Sequence, residues 1–374
     1  MRSTFAEINL SNLNNNYLSI RRSVKGKKVM AVVKADAYGH GVDQVTKSLN
    51  SLRNDKPEYY AVAFTEEAIE LRELKVDQPI LVFDPINNIE NAGLFFKYDL
   101  IPTVFTEIHL KTLINAKKRL SYQNKIKVHI KIDTGMNRLG IDAVNSIKFI
   151  KKVSSSKHFI IDGIYTHFAT SDEKNKSFTI RQLKMFKDIL EYLAISKINY
   201  GLAHSANSGA ILNMPDSYLD MVRPGILLYG YYPSMEIPMT IMPRPVMSLI
   251  SKVSSIKKIM QGDTVSYGRK YKAARNTNII SVPIGYADGF NRNLSNFAKG
   301  IINGKEFMQI GTVTMDRIMF DIGNSIINIG DKVILLGKEG KSKIDAWDWA
   351  KILGTIPYEI ICGIGKRVPR TYVK

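Results

Sequence analysis

The feature that most constrains the fold is a regular alternation of short apolar segments with longer amphipathic ones over the first two thirds of the chain. Residues 29–33 form a continuous apolar run with β-branched side chains, which is typical of a strand buried on both faces of a parallel sheet. Residues 65–74 begin with a threonine, carry glutamates in the first turn and space apolar residues at helical intervals, so they predict a helix capped by Thr65. Further strands are predicted at Tyr59–Phe64, Pro79–Phe83, Ile101–Phe105, Lys127–Asp133, Ile160–His167, Tyr200–His204 and Tyr218–Arg223.

About eight strand–helix repeats precede Pro238, and this number predicts a (β/α)8 barrel. An open, doubly wound sheet is the alternative, but the Rossmann glycine fingerprint is missing after the first strand, which favours the barrel. Prolines 238, 243 and 245 mark a linker, after which alternating strands and tight turns predict a mostly β domain with one helix at Ile344–Leu353. We therefore predict a barrel over residues 1–238 and a β-rich domain over residues 239–374, and leave open whether the first few residues join the second domain.

Composition limits the classes of partner. The amino-terminal residues lack the apolar region of a signal peptide, and no apolar run reaches transmembrane length, so we expect a cytoplasmic protein without a membrane partner. The single cysteine, Cys362, excludes an intrachain disulfide and a cysteine metal cluster. The net charge of +19 raises nucleic acid as a partner, but the lysines are spread along the chain without a dense block, so none is predicted.

Lys34 directly follows the first apolar run. In a (β/α)8 barrel the carboxyl ends of the strands carry the active site, and the glycines at 39 and 41 suit a tight turn near a ligand. A desolvated lysine amine loses its proton more readily than one in water, so Lys34 is a candidate Schiff-base nucleophile. The alternative is a strand-end lysine that extends its ammonium to solvent, and this segment alone favours that alternative.

Polar side chains follow four later strands and point to the same mouth of the barrel. They lie in residues 131–140, 166–169, 204–208 and 221–226. Singly, each has an ordinary structural explanation: His167 or His204 as a core histidine, Arg138 as an ion-pair partner. Their coincidence on one face with Lys34 favours a functional site.

A phosphate site is predicted in the last two of these loops. Ser208 supplies a hydroxyl, unless it only caps a helix, and Gly225 and Ile226 supply backbone N–H groups. A basic mouth with a phosphate site and a Schiff-base lysine is the combination that pyridoxal phosphate requires. Nothing in the sequence predicts a metal site.

Motifs spread over nearly the whole chain resemble those of alanine racemases, in the same order. They are residues 31–41, the Asp-Thr-Gly-Met-x-Arg segment at Asp133, Thr166–Ala169, Ala206–Ser208, Val222–Gly225, Val265–Gly268, Gly285–Gly289 and Arg367–Arg370. The resemblance implies a pyridoxal phosphate barrel followed by a β domain, assembled as a head-to-tail homodimer with shared active sites. It also implies that Lys34 binds the cofactor and is one catalytic base, and that Tyr267 of the partner subunit is the second.

The resemblance assigns roles to further residues. His167 and Arg223 would support Tyr267, and Arg223 would donate to the pyridine nitrogen. Since arginine only donates hydrogen bonds, that nitrogen would stay neutral, which argues for brief proton exchange and against transamination or decarboxylation. Cofactor contacts are implied for Tyr38, Arg138, His167, Asn207, Ser208, Arg223, Gly225, Ile226 and Tyr358, and substrate contacts for Arg138, Met315, Asp316 and Tyr286.

Lys131 lies where many members of the family carry a carbamylated lysine that orients Arg138. Thr314 stands where many relatives have cysteine, and Asn137 stands where glycine is common. These two departures bear on specificity or inhibitor sensitivity and remove no catalytic group.

The implied activity is interconversion of L-alanine and D-alanine, with D-alanine supplied for peptidoglycan. A serine or broad-specificity racemase would share the motifs and differ in the pocket near Tyr286, Thr314, Met315 and Tyr358. A barrel-type pyridoxal phosphate decarboxylase would carry an acidic residue in place of Arg223. Non-catalytic cofactor-handling barrel proteins would lack the second domain.

Overall fold

The computed structural model describes residues 3–86 and 88–374, which divide into two compact units. The barrel unit comprises residues 14–37 and 42–243, and the β unit comprises the residues up to Leu13, Tyr38–Gly41 and Arg244–Lys374. The first strand, β1 (Phe5–Asn9), therefore belongs to the β unit. Within the described part of the chain, no helix has the length and apolarity needed to cross a membrane.

The barrel unit contains a closed ring of eight parallel strands. In chain order the strands of this unit are β2 (Lys28–Val32), β3 (Tyr59–Val62), β4 (Ile80–Pro85), β5 (Ile101–Val104), β6 (Ile126–Asp133), β7 (Ile141–Asp142), β8 (Phe159–Tyr165), β9 (Leu202–His204) and β10 (Met221–Val222). Neighbours pair in the order β5–β4–β3–β2–β10–β9–β8–β6, and β6 pairs with β5, while β7 pairs with β6 outside the ring. The closure confirms the predicted barrel and excludes the open sheet.

Helices that bury one face alternate with these strands. They are α1 (Leu10–Ser23), α2 (Lys34–Gly39), α3 (Val42–Asn50), α4 (Thr65–Glu73), α5 (Ile89–Lys97), α6 (Glu107–Arg119), α7 (Ala143–Ser154), α8 (Ser177–Ile195) and α9 (Ser208–Asn213), of which α2 is a short left-handed turn. In α8 the buried apolar residues include Leu183, Phe186 and Leu190, which recur at helical spacing. Capping supports the helix starts, since Asn88 and Thr106 accept backbone N–H groups at α5 and α6.

Two local predictions in the barrel were wrong. Thr65 does not cap α4 but is its first residue, and the Glu67 carboxylate instead accepts the backbone N–H groups of Ala63 and Phe64 at 2.7 and 3.0 Å. The strand predicted from Tyr218 is confined to β10, because Leu219 has a φ of 53° that interrupts the extended backbone.

The β unit is mostly strand. Its remaining elements are β11 (Met247–Lys252), β12 (Ser255–Ile259), β13 (Thr264–Val265), β14 (Tyr271–Lys272), β15 (Thr277–Val282), β16 (Lys299–Ile302), β17 (Lys305–Ile310), β18 (Ile318–Gly323), β19 (Lys332–Glu339), β20 (Ser342–Ile344), α10 (Ala346–Leu353), α11 (Pro357–Cys362) and β21 (Arg370–Val373). The main sheet has the order β12–β15–β18–β17–β16–β19–β11–β1–β21. β1 is antiparallel to β11 and parallel to β21, so both ends of the chain take part in this sheet.

The helix predicted at Ile344–Leu353 begins two residues later as α10, where Asp345 accepts the Trp347 N–H as its cap. A second helix, α11, was not predicted. Its six residues span less than two turns, which is too short for a periodic apolar pattern to be visible in the sequence.

A left-handed turn follows β2. Ala35, Asp36, Ala37 and Tyr38 have φ angles between 51° and 55°, a conformation that costs roughly 1–2 kcal/mol per residue for amino acids with a Cβ atom. Carboxylates hold the turn: Glu67 accepts the Ala35 N–H at 2.6 Å, and Asp36 accepts the Val42 N–H at 2.7 Å. The residues that directly follow Lys34 therefore have an unfavourable left-handed backbone, which these hydrogen bonds stabilise.

The strain in this turn can be measured with Ala35→Gly. Ala35 is exposed with a φ of 53°, and glycine adopts that conformation without the Cβ clash, so we expect stabilisation by about 1 kcal/mol. The matched control is Ala194→Gly, at an exposed position of the right-handed helix α8, which should destabilise by about 0.5–1 kcal/mol. Urea midpoints at constant m-value measure both changes, and equal destabilisation by the two variants would contradict the interpretation.

Candidate active site

Five basic side chains share the carboxyl-terminal mouth of the barrel. Lys34 follows β2, Lys131 lies near the end of β6, Arg138 follows β6, His167 follows β8 and Arg223 follows β10. Burial lowers the pKa of His167 well below its ordinary value, and the charges of the other four side chains lower it further. The structure thus brings together five residues that the sequence predicted as functional, in a mouth suited to anionic groups.

Lys131 has a strongly lowered pKa. Its side chain is buried, and burial, followed by the charges of Arg138 and Arg223, lowers its pKa to about 8. The ammonium nitrogen lies 5.7 Å from the centroid of the Tyr165 ring. A lysine with this pKa carries a sizeable neutral fraction near neutral pH and is a better nucleophile than an exposed lysine.

Arg223 is almost fully buried and is held by neutral acceptors. Its Nη1 atom lies 2.7 Å from His204 Nδ1, and Nη2 donates to the carbonyls of Thr166 and Ser205 at 2.7 and 3.0 Å. Nη2 also lies 3.4 Å from His167 Nδ1. Burial lowers the pKa of Arg223 to about 10, so the group remains a cation and a hydrogen-bond donor at neutral pH.

The loop after β6 is organised by one carboxylate. Asp133 Oδ1 accepts the backbone N–H groups of Gly135, Met136 and Asn137 at 2.8, 3.0 and 3.2 Å. Asn137 has a φ of 56°, a left-handed conformation that glycine and asparagine adopt more readily than other residues. Arg138 follows directly and is exposed at the mouth.

The predicted phosphate site is a compact turn in the barrel unit. Ser208 is buried, and its Oγ accepts the N–H groups of Gly225 and Leu227 at 3.0 and 3.4 Å. Ile226 is buried and begins the short 3₁₀ turn that follows. Asn207 caps α9 by accepting the Ala210 N–H at 3.1 Å. Because Ser208 Oγ accepts these two N–H groups, its own hydroxyl hydrogen is the donor that it can offer to a phosphate oxygen.

The two tyrosines predicted as cofactor ligands lie close together in the β unit. Tyr38 ends the left-handed turn, Tyr358 lies on α11, and their ring centroids are 6.1 Å apart. Tyr38 is buried, whereas Tyr358 is partly exposed. The helix that the sequence did not predict is thus the element that places Tyr358.

Tyr267 lies in a strained segment of the β unit and is 73% exposed. Ser266 has φ and ψ of 66° and −175°, a region occupied almost only by glycine, and Gly268 and Arg269 also have positive φ. Thr312 fixes the segment by donating its hydroxyl to the Tyr267 carbonyl and accepting the Ser266 hydroxyl at its own carbonyl. Without the family resemblance nothing in the sequence distinguishes Tyr267 among 18 tyrosines. In the structure it is distinguished by its exposed aromatic ring on a strained turn.

The residues predicted on the substrate side form a second group in the β unit. The Tyr286 N–H donates to the Thr314 carbonyl at 3.0 Å, and the Ala287 N–H donates to the Met315 carbonyl at 3.2 Å. The Thr314 hydroxyl donates to the carbonyl of Arg317 at 2.9 Å. Tyr286, Met315 and Asp316 are exposed, and the Asp316 carboxylate pairs with Arg367 at 2.6 Å.

Sequence reasoning missed Tyr165. This fully buried tyrosine stacks on His204 with ring centroids 4.9 Å apart and planes 8° apart, and the Arg223 guanidinium carbon lies 5.3 Å from its ring centroid. Its hydroxyl shares a 3.0 Å hydrogen bond with Thr103. Tyr165 lies two residues before His167, so period-two alternation along β8 could have placed it on the same side.

Comparison with known proteins agrees with this arrangement. Residues 8–233 match the model of the alanine racemase N-terminal domain, and residues 246–372 match that of the C-terminal domain. The chain belongs to the alanine racemase family. The family consists of isomerases that depend on pyridoxal phosphate.

Individual alanine racemases are similar over their full length. The chain is 41% identical to alanine racemase 1 of Clostridium acetobutylicum, covering 100% of this chain and 96% of the relative. It is 42% identical to the alanine racemase of Treponema denticola, with 100% and 99% covered.

Solved alanine racemase structures have the same fold. The Clostridium difficile enzyme superposes with a TM-score of 0.92 at 39% identity, covering 99% of this chain and 96% of that one. The Bacillus anthracis enzyme with bound L-Ala-P has a TM-score of 0.91 at 34% identity, covering 100% and 96%.

The depressed pKa of Lys131 predicts a pH-dependent stability. The folded protein binds this proton less tightly than the unfolded chain, whose ordinary pKa is 10.5, so the free energy of unfolding should rise as the pH increases from about 8 to 10.5. Lys131→Met should remove that rise and, in buffer free of carbon dioxide at pH 7, stabilise the fold by about 2 kcal/mol. Lys127→Met, at an exposed position of the same strand, is the control, and denaturation across this pH range is the measurement. A rise of equal size in wild type and Lys131→Met would contradict the assignment.

Proposed function

We propose that this chain interconverts L-alanine and D-alanine by exchanging the proton on the α-carbon, with pyridoxal phosphate as cofactor. The observation that carries the proposal is the placement of a buried donor, Arg223, beside Lys34 and the other cations of the barrel mouth. D-alanine for peptidoglycan would be the product, and a cytoplasmic location remains a prediction from the sequence.

The donor groups fit pyridoxal phosphate. Lys34 would hold it covalently through Nζ, Arg223 would donate to its ring nitrogen, and Arg138 would donate to its phenolic oxygen. Further contacts are proposed for Tyr38, His167, Asn207, Ser208, Gly225, Ile226 and Tyr358. When bound, the cofactor supplies an electron sink that makes the α-hydrogen of an amino acid acidic.

Arg223 supports racemisation over other pyridoxal reactions. Guanidinium groups donate hydrogen bonds and do not accept them, and Arg223 stays protonated at neutral pH. A donor at this position leaves the ring nitrogen unprotonated, so negative charge at the α-carbon is stabilised less than it would be by an acidic partner. That favours prompt return of the proton and disfavours decarboxylation.

Racemisation requires a base on each face of the α-carbon. We assign Lys34 Nζ to one face and the Tyr267 hydroxyl of the partner subunit to the other, in a head-to-tail homodimer. Because an ordinary tyrosine pKa is ~10, Tyr267 needs a positive environment to lose its proton. His167 and Arg223 would supply it, and the exposure of Tyr267 in one chain is consistent with a role in a partner's site.

Arg138 would bind the substrate carboxylate, with Met315, Asp316 and Tyr286 of the partner subunit beside the substrate. Carbamylation of Lys131 is supported by its low pKa, since a neutral amine is the form that reacts with carbon dioxide. The resulting anion would attract Arg138, which the ammonium repels. With bicarbonate supplied, the stability gain predicted between pH 8 and 10.5 should then disappear.

The activity is tested by incubating purified holoenzyme with L-alanine and measuring D-alanine. We expect racemisation by wild type and a loss of at least about 1,000-fold in Lys34→Ala, because both the cofactor attachment and one base are removed. A panel with serine, lysine and arginine distinguishes a broad-specificity racemase. No racemisation by cofactor-loaded wild type, or full activity in Lys34→Ala, would refute the proposal.

Subunit mixing tests whether the site is shared. Lys34→Ala and Tyr267→Phe should each be inactive alone, but a heterodimer would contain one site with an intact lysine and an intact tyrosine. Random mixing should therefore restore about a quarter of the wild-type activity, because half the dimers are mixed and each has one intact site. Tyr192→Phe, at an exposed position of α8, should be fully active, and no restoration on mixing would contradict a shared site.

A further inference from the structure

A chain of buried hydrogen bonds runs from Arg223 away from the proposed cofactor site. His204 Nε2 lies 3.0 Å from His129 Nδ1, and His129 Nε2 lies 3.2 Å from Asp162 Oδ2. Both histidines are completely buried, whereas Asp162 is partly exposed. The Tyr59 hydroxyl donates to the same Asp162 oxygen at 3.0 Å. The family resemblance used to predict the site does not involve His129 or Asp162.

The direction of every hydrogen bond in this chain follows from Arg223. A guanidinium can only donate, so His204 Nδ1 must accept at 2.7 Å. His204 is then protonated at Nε2 and donates to His129 Nδ1. His129 must accept there and donate from Nε2 to Asp162. Both rings are thereby fixed as neutral Nε2–H tautomers, and a proton on either Nδ1 would place two donors against each other.

The surroundings agree with neutral imidazoles. Burial lowers the pKa of His204 well below its ordinary value, and the neighbouring Arg223 guanidinium lowers it further. Burial also lowers the pKa of His129, although Asp162 opposes the shift. The groups that face His204 are Arg223, His129 and the stacked Tyr165 ring, whose own pKa burial raises to about 12.

Gly163 leaves the space that the His129 ring occupies in this series of hydrogen bonds. A Cβ atom on Gly163 would lie 2.6 Å from His129 Cε1 and 2.9 Å from Nδ1. Such distances are far inside van der Waals contact, so any other residue at 163 would displace the His129 ring. The strand that carries Asp162 therefore also carries the gap that the ring needs.

We propose that His129 and Asp162 are positioning residues for Arg223: through His204 they hold an acceptor permanently against the guanidinium and so keep its donor directed to the cofactor. The inference rests on the proposed function, in which Arg223 donates to the cofactor ring nitrogen. Arg223 fixes the polarity of these hydrogen bonds from one end, and the ionised Asp162 carboxylate, which only accepts hydrogen bonds, supports the same polarity from the other end. His129 relays that polarity across the barrel interior.

The first test is the tautomeric state in the wild-type holoenzyme. With ring-¹⁵N-labelled histidine, NMR should show His129 and His204 as neutral Nε2–H tautomers from about pH 6 to 9. His129→Gln assigns the signals. An imidazolium or an Nδ1–H tautomer for either residue at pH 7 would overturn the inference. This readout holds even if the protein proves not to racemise alanine, so failure of the proposed function is distinguishable.

The second test uses substitutions along the chain. Asp162→Asn and His129→Leu should each lower kcat about tenfold with KM for alanine nearly unchanged, and should shift the absorption spectrum of the bound cofactor, because a charge-assisted hydrogen bond behind Arg223 is weakened. His129→Gln should have a kcat within about threefold of wild type, since the glutamine amide oxygen can accept from His204 and its amide nitrogen can donate to Asp162. Unchanged kcat and spectrum in folded Asp162→Asn and His129→Leu would overturn the proposal.

Glu58→Gln is the matched control. Glu58 precedes Tyr59 at the same end of the barrel and accepts two hydrogen bonds from Arg21, at 3.0 and 2.7 Å, and one from the Val29 N–H at 2.8 Å. Loss of the Glu58 carboxylate should lower the melting temperature, while kcat, the cofactor spectrum and both histidine tautomers stay as in wild type. If Glu58→Gln reduced kcat as much as Asp162→Asn, the effect would be one of general stability, and the positioning role would be refuted.

Discussion

Burial of the Arg223 guanidinium is the constraint on which the rest of the barrel mouth depends. A cation taken out of water needs acceptors for its N–H groups, and here they are two backbone carbonyls at the ends of neighbouring strands and the Nδ1 atoms of His204 and His167. Because these acceptors are neutral, they do not compensate the positive charge of the guanidinium, which therefore acts on the other groups in the mouth. Burial lowers the pKa of Lys131, His167 and His204, and the Arg223 charge lowers each of these pKa values further.

The barrel could be predicted from the sequence because buried parallel strands are apolar along their whole length and alternate with amphipathic helices. The strand-end position of Lys34 and the basic mouth followed from the same pattern. Closure of the ring, by contrast, depends on pairing between β5 and β6, and strand spacing contains no direct signal for that pairing. The short helix α11 was not predicted because six residues are too few for a periodic apolar pattern.

Individual side-chain partners were harder to predict than the fold. His129 and Asp162 lie on barrel strands, and nothing in their local sequence distinguishes them from packing residues. Their roles arise from contacts between strands 33 to 75 residues apart in sequence, such as His129 with Asp162 and with His204. Tyr267 was accessible only through resemblance, because the backbone strain that distinguishes it is a property of the folded loop.

Backbone strain links the two residues proposed as bases. Lys34 is followed by five residues of positive φ, four of which carry a Cβ atom. Tyr267 is preceded by Ser266 and followed by Gly268 and Arg269, all with positive φ. Left-handed backbone with Cβ atoms is unfavourable unless neighbouring groups hold it, and here Glu67, Asp36 and Thr312 do so. A base that returns a proton to one atom must be held with little freedom, because small displacements lengthen the path of transfer. Strain fixed by hydrogen bonds provides that restriction at both residues, although they lie in different units of the chain.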